Sequence, residues 1–565
     1  MRVSQSDQHS TGACVARILL VAASIVLVSV AAFGQQPGQP LGPPISLIPP
    51  PLEPLSAVPE PPPPISIRES AVASEPLAAP SLGWTAGVAP PRDALPGGFW
   101  HGTTRGMADL LLARMPDTLS SALQSLMRRL LLSPAAAPEG PDGGDRTLPG
   151  LRAAALLRLG EIDAARAVIA AIPERERGPA LPLAVAADAI SGDIGRACAT
   201  VRETVRHDQS AFWQSALIAC QALQDETEQA SLGLQLLAEE RAPRDEALGA
   251  AVEALAGRSS PAAVGRAEGL DPLTLRLLVK ARQPLAPTLV ESLRPDLALC
   301  LARDEEAPAG TRLAAAERAA RFGALPPDRL RALYMDNTGG GDPSAEPALD
   351  HSRRFVAIER AVTATEQLHQ IVSFAEAFGA YQPGTFTLGA QLVLPTLRQI
   401  EPDPSLTGWA PLVTRLLLAA GDTSAARRWG ALVSGTKAHT LRSLVALATG
   451  SEERVETPPV PVLVALSAAL GQPVPPADWV GLPETSWTDA GASSPPPAAW
   501  LELAEAAQAK RIGETVLAAV MVAAPTGALP TDPVVLFTAV SGLKRVGLDG
   551  DARRLAVEAA LAAGL

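Results

Sequence analysis

Beginning at Gly106, apolar residues recur three and four positions apart. In MADLLLARM (107–115) and LSSALQSLMRRLLL (119–132) this spacing predicts two amphipathic helices, and the Pro- and Gly-rich PAAAPEGPDGG (134–144) ends them. Similar text rich in Ala, Leu, Arg and Glu fills most of the chain that follows, and these residues favour helix. The one strand-like stretch, TFTLGAQLVL (385–394), is too isolated to build a sheet. The expected fold class is all-α.

A hairpin unit repeats within this text. In LLRLGEIDAARAVIAAIP (156–173), Leu156 and Leu159 close one apolar face and Gly160 supplies a turn. Ala165, Ile169 and Ile172 then begin the next face, and Pro173 stops it. The same step of five residues from Gly to Ala recurs at Gly192 to Ala197, Gly257 to Ala262, Gly421 to Ala426, Gly513 to Ala518 and Gly547 to Ala552. Asp225 stands in for Gly before Ala230. In so Ala-rich a chain the step alone carries no weight, but its spacing does. Turns at 160, 192, 225 and 257 lie 32, 33 and 32 residues apart, and those at 513 and 547 lie 34 apart. Periods near 34 in helical text indicate stacked helical hairpins.

GEIDAARAVI (160–169) and GDTSAARRWG (421–430) resemble the half-motif of the tetratricopeptide family, in which a Gly-Asp or Gly-Asn turn precedes an alanine that lets helix B pack closely on helix A. The resemblance covers about half of the chain beyond its first 34 residues, and Leu, Ala or Val occupies most of the family's aromatic positions. It implies a divergent tetratricopeptide-like α-solenoid whose A helices line a concave surface.

Composition divides the chain further. Arg2 and Arg17 precede the uncharged ILLVAASIVLVSVAAFG (18–34), which reads as a signal peptide cleaved after Ala31 or Gly34, or as an N-terminal anchor at the short limit for a membrane span. Residues 35–103 form a Pro-rich linker without apolar periodicity, of which Gln35 to Pro64 would extend about 90 Å as polyproline II. Helical segments are expected at 104–335, 348–455 and 498–565, separated by loops at 336–347 and 456–497. The expected location is periplasmic or secreted, or the inner membrane if the first segment is an anchor, which would be the chain's one membrane contact. Cys14 falls in that segment, leaving Cys198, Cys220 and Cys300, an odd number that excludes a complete disulfide framework. Cys198 and Cys220 are either a disulfide pair or buried free thiols.

The net charge of −12 and pI near 5.2 argue against a nucleic-acid surface. Six scattered histidines, without H-x-x-x-H or CxxC, give no metal site, and GGGD (339–342) lacks the Lys-Ser/Thr of a phosphate loop. Ser434 with Lys437 and Ser541 with Lys544 both fit Ser-x-x-Lys, but neither has the companion motifs of a serine nucleophile. Glu291-Ser292 resembles the catalytic pair of exported peptidoglycan lytic enzymes that carry an α-superhelix, which would make Glu291 a general acid. That family's downstream Gly-Leu-Met-Gln stretch has no counterpart. No cofactor is implied.

Two of the four lysines fall in matching tetrapeptides, KRIG (510–513) and KRVG (544–547). As helix ends, Lys510, Arg511, Lys544 and Arg545 would complement macrodipoles. If the tetratricopeptide resemblance holds, they would instead project into one groove, with Trp500 and Phe537 as apolar contacts, to clamp an acidic or C-terminal peptide. The expected function is an exported non-catalytic scaffold or adaptor for other cell-envelope proteins. The alternatives are an envelope hydrolase and a structural spacer.

Overall fold

A computed structural model describes Trp84 and residues 88–565, apart from 142–146, 240–244, 261–263, 267–268, 337–346, 380–383, 452–459, 483–496, 525–528 and 530–531. The expected signal segment, residues 35–83 of the linker, nearly all of the 336–347 loop and Ala262 lie outside these. Every regular element among the described residues is a helix, and two isolated bridges, Thr104 with Glu139 and Val264 with Leu285, are the extended pairings. The fold is an α-solenoid of helices packed in consecutive pairs. Among the described residues no helix is long and apolar enough to cross a membrane.

The turns follow from backbone sterics. Helix Leu148–Arg158 ends at Gly160 with φ 76°, where the Gly160 and Glu161 amides donate to the Leu157 and Leu156 carbonyls, and helix Ile162–Ala171 returns alongside. Gly192, Gly421 and Gly547 turn with φ of 86°, 81° and 84°, and Asp225 does so at 66°, a residue type that tolerates the left-handed region. Ala165, Ala197, Ala230, Ala426 and Ala552, each five residues on, are fully buried, as close helix pairing requires. Asp193 and Asp422 cap the returning helices by accepting from the amides of Arg196 and Ala425.

Several boundaries differ from expectation. TFTLGAQLVL belongs to helix Thr385–Leu397, where Leu388, Leu392 and Val393 are buried at helical spacing and tertiary burial overrides a weak strand preference. The 456–497 loop contains helices Pro461–Ala469 and Pro476–Val480, because a proline in the first turn starts a helix rather than breaking one. The end of the linker is core. Trp84, Phe99 and Trp100 are buried, Trp84 Nε1 donates to the Leu130 carbonyl at 3.2 Å, and the buried Arg152 donates to the Trp84 carbonyl at 2.7 Å.

The array also curls back on itself. Helices Ile512–Ala523 and Asp549–Ala562 pack against Arg105–Ala113 and Ser121–Leu132, near the other end of the chain. Gly513 is the close approach that allows this, since a Cβ there would sit 2.6 Å from Trp100 Cε3. Its amide donates to the Phe99 carbonyl at 2.8 Å. Arg129 meets the buried Asp551 at 2.8 Å.

Candidate functional site

The two tetrapeptides are not structurally equivalent, which corrects the expected register. Helix Pro533–Arg545 carries Lys544 and Arg545 in its last turn and turns at Gly547. Helix Pro497–Gln508 ends earlier, and its left-handed turn residue is Lys510, with φ 58°. Lys510 therefore matches Gly547, Arg511 is the N-cap of the next helix, and Gly513 lies inside that helix, Ile512–Ala523, so the Gly513 to Ala518 step is not a turn, although Ala518 is buried.

The four cations consequently point to different tasks. Lys544 Nζ donates to the Leu470 carbonyl and closes the C-terminus of helix Pro461–Ala469. The Arg511 guanidinium is held among acids, 2.9 Å from Glu514, 3.3 Å from Glu502 and 3.7 Å from Glu505. The hydrogen bond to Glu514, with burial adding to it, raises the Glu502 pKa to about 7. Lys510 and Arg545 are exposed.

The two expected apolar residues, Trp500 and Phe537, lie on helices that pack against each other. Trp500 Nε1 donates to Thr538 Oγ1 at 3.1 Å, linking helices Pro497–Gln508 and Pro533–Arg545. Around this bond Trp500, Leu501, Val534 and Phe537 are 42%, 71%, 57% and 41% exposed. Large side chains in that state on two packed helices form an apolar patch, unlike singly scattered ones.

A second feature is a cleft of about 730 Å³ among helices Pro287–Ser292, Ala309–Arg321, Pro347–Arg360 and Thr385–Leu397. His351 Nε2 lies 3.0 Å from the Ala377 carbonyl and must donate to it. Its Nδ1 lies 3.0 Å from Glu317, which also accepts from the Tyr334 hydroxyl at 2.6 Å. Burial pushes the His351 pKa down, but its bond to Glu317 and the Glu317 charge outweigh this, and the net pKa is raised. The imidazolium, donating from both nitrogens, fits this geometry. Arg318 and Arg321, one helical turn apart, line the same cleft and stack on Phe322.

Glu291 sits on the exposed rim of this cleft, and the Ser292 hydroxyl donates to the Leu289 carbonyl at 2.9 Å. The Ser541 hydroxyl donates to the Thr538 carbonyl, away from the Lys544 bond to Leu470. Ser434 is exposed, and the Lys437 side chain lies outside the described residues. Cys198 and Cys220 are joined as a disulfide, with their Cα atoms 5.4 Å apart, and Cys300 is a buried thiol. Burial pushes the Cys300 pKa up to about 12. Among the described residues no cluster of His, Cys, Asp or Glu could hold a metal ion.

The cleft was not legible in the sequence because Glu291, Glu317, His351 and Leu388 come from four helices with no shared spacing. The nearest local signal was the pair Arg318 and Arg321 on one face of an otherwise Ala-rich helix. No family model, curated protein or solved structure matches the chain.

Proposed function

We propose that this chain is an exported, non-catalytic helical scaffold that binds another protein of the cell envelope through its C-terminal hairpins. The observation that carries this reading is the patch of Trp500, Leu501, Val534 and Phe537, four large apolar side chains exposed on two adjacent helices. Partly exposed aromatics on a rigid helical face are typical anchors of protein interfaces. The helix supports contact with both the patch and a basic rim, since Arg545 lies eight residues beyond Phe537, about 12 Å along the axis. A partner segment with an apolar anchor and an acidic flank fits that span. Export rests on the apolar run at 18–34.

The test is affinity capture from the native envelope with the full chain as bait. A Trp500→Ala/Phe537→Ala bait is compared with Phe212→Ala, which removes an exposed aromatic elsewhere, 46% exposed on helix Ala211–Leu223. A discrete partner should be lost with the first and kept with the second. Identical captures from all three baits would exclude the patch as the interface.

A further inference from the structure

We propose that the cleft between helices Ala309–Arg321 and Thr385–Leu397 is a binding site for an organic carboxylate with an apolar body, whose head group is held by Arg318 and Arg321. The inference stands apart from the proposed scaffold role, which uses different residues.

The volume of about 730 Å³ suits a small ligand. Its walls include Leu285, Val290, Ala314, Phe378 and Leu388, which would cover an apolar body. Its charged groups fall into two sets. His351 and Glu317 satisfy each other and the Ala377 carbonyl, so they form a closed ion pair in the wall. Arg318 differs. Its Nε donates to the Leu293 carbonyl at 2.9 Å, and among the described residues no carboxylate comes within ion-pairing distance of its guanidinium. Burial lowers its pKa to about 10, with the Arg321 charge acting in the same direction. A partly buried cation without a paired anion has lost hydration that an incoming carboxylate would restore. Arg321, three residues on, adds a second cation on the same face.

Glu291 sets the charge limit of the ligand. Its carboxylate acts on both arginines through space from the exposed rim. It would repel a second anionic group, so the site favours a monoanion over a phosphate dianion.

The experiment is calorimetric titration of the full chain with octanoate, acetate and octylammonium. Saturable one-to-one binding of octanoate is expected, with acetate at least about tenfold weaker and octylammonium not bound. Arg318→Gln should weaken octanoate about tenfold or more, and Glu291→Gln should tighten it several-fold by removing the repulsion. No octanoate binding by the unaltered chain would overturn the proposal, as would equal binding of octylammonium. Should Arg318→Gln fail to fold, Glu291→Gln decides, because an exposed rim residue can be changed without disturbing packing. Unchanged affinity there would place octanoate elsewhere on the molecule and overturn the assignment.

Discussion

The Glu558 carboxylate accepts a hydrogen bond from the Ala122 backbone N–H at 2.8 Å, across 436 residues of chain. It also accepts from the Ser121 amide and the Ser120 hydroxyl, each at 3.0 Å. These amides open helix Ser121–Leu132, where Ser120 already accepts locally from the Leu123 amide, so a side chain from the last helix satisfies further donors that the local cap leaves free. The negative charge also meets the positive end of that helix. Glu558→Ala strands three donors at once and should cost about 2 to 3 kcal/mol. Urea denaturation checks this, with a lower midpoint and an unchanged slope as the expected result. An unmoved midpoint would mean that the two ends of the array are not energetically joined.

Two glycines, in helices Ile512–Ala523 and Asp549–Ala562, should respond differently. A Cβ at Gly513 would press on Trp100 at 2.6 Å and Phe99 at 3.0 Å, both buried rings with little room to move. Gly513→Ala should destabilise by about 1 to 3 kcal/mol despite the better helix propensity of alanine. Gly550 has nothing within 4 Å and lies in the first turn of Asp549–Ala562. Gly550→Ala should be neutral or stabilise by up to about 1 kcal/mol. Melting temperatures of the pair suffice, and equal shifts would refute the packing of Trp100 on Gly513.

These residues also show what the sequence could reveal. Gly160, Gly192, Gly421 and Gly547 were legible as turns because few residues other than glycine adopt positive φ without strain, and the buried alanine five residues on is fixed by the same local geometry. That rule misplaced the KRIG turn, since Lys510 takes the left-handed conformation and Gly513 is reserved for Trp100. Glycine served two physical needs, and spacing does not separate them. Closure through Glu558 left no trace in any window, because the carboxylate and the amides it caps are more than 400 residues apart. Two of the four cations expected in the basic groove have partners elsewhere. Lys544 is taken up by the Leu470 carbonyl, 74 residues away and connected to KRVG by no local pattern, whereas Arg511 pairs with Glu514 three residues on, a spacing present in the sequence itself.

The Cys198–Cys220 disulfide joins helices Ile194–Thr204 and Ala211–Leu223, with 22 residues of sequence separation. In the loop-entropy account a closure of this length contributes about 3 kcal/mol. The Cys198→Ala/Cys220→Ala double variant should therefore melt lower than the oxidised protein. The buried Cys300 should resist alkylation until unfolding, because thiolate is the reactive form. Peptide mapping without reductant checks the pairing directly. Separate Cys198 and Cys220 peptides would show that the helices pack without a bond.

Glu502 and Glu514 share the Arg511 guanidinium, and the bond to Glu514 sets the Glu502 pKa at about 7, above the ordinary 4.5. A carboxyl whose pKa rises on folding holds its proton more tightly in the native state. Its contribution is therefore fully present below pH 4.5 and is lost as pH rises through 7. Glu502→Gln stays neutral throughout and keeps the shape of the protonated acid. The variant should match the unaltered chain near pH 4 and be more stable by about 1 kcal/mol at pH 8, the figure being reduced for solvent screening. Denaturation midpoints of both proteins across this range provide the check. A difference that stays constant with pH, or one in which the glutamine protein becomes the weaker as pH rises, would mean that Arg511 neutralises both carboxylates and that no proton is shared between them.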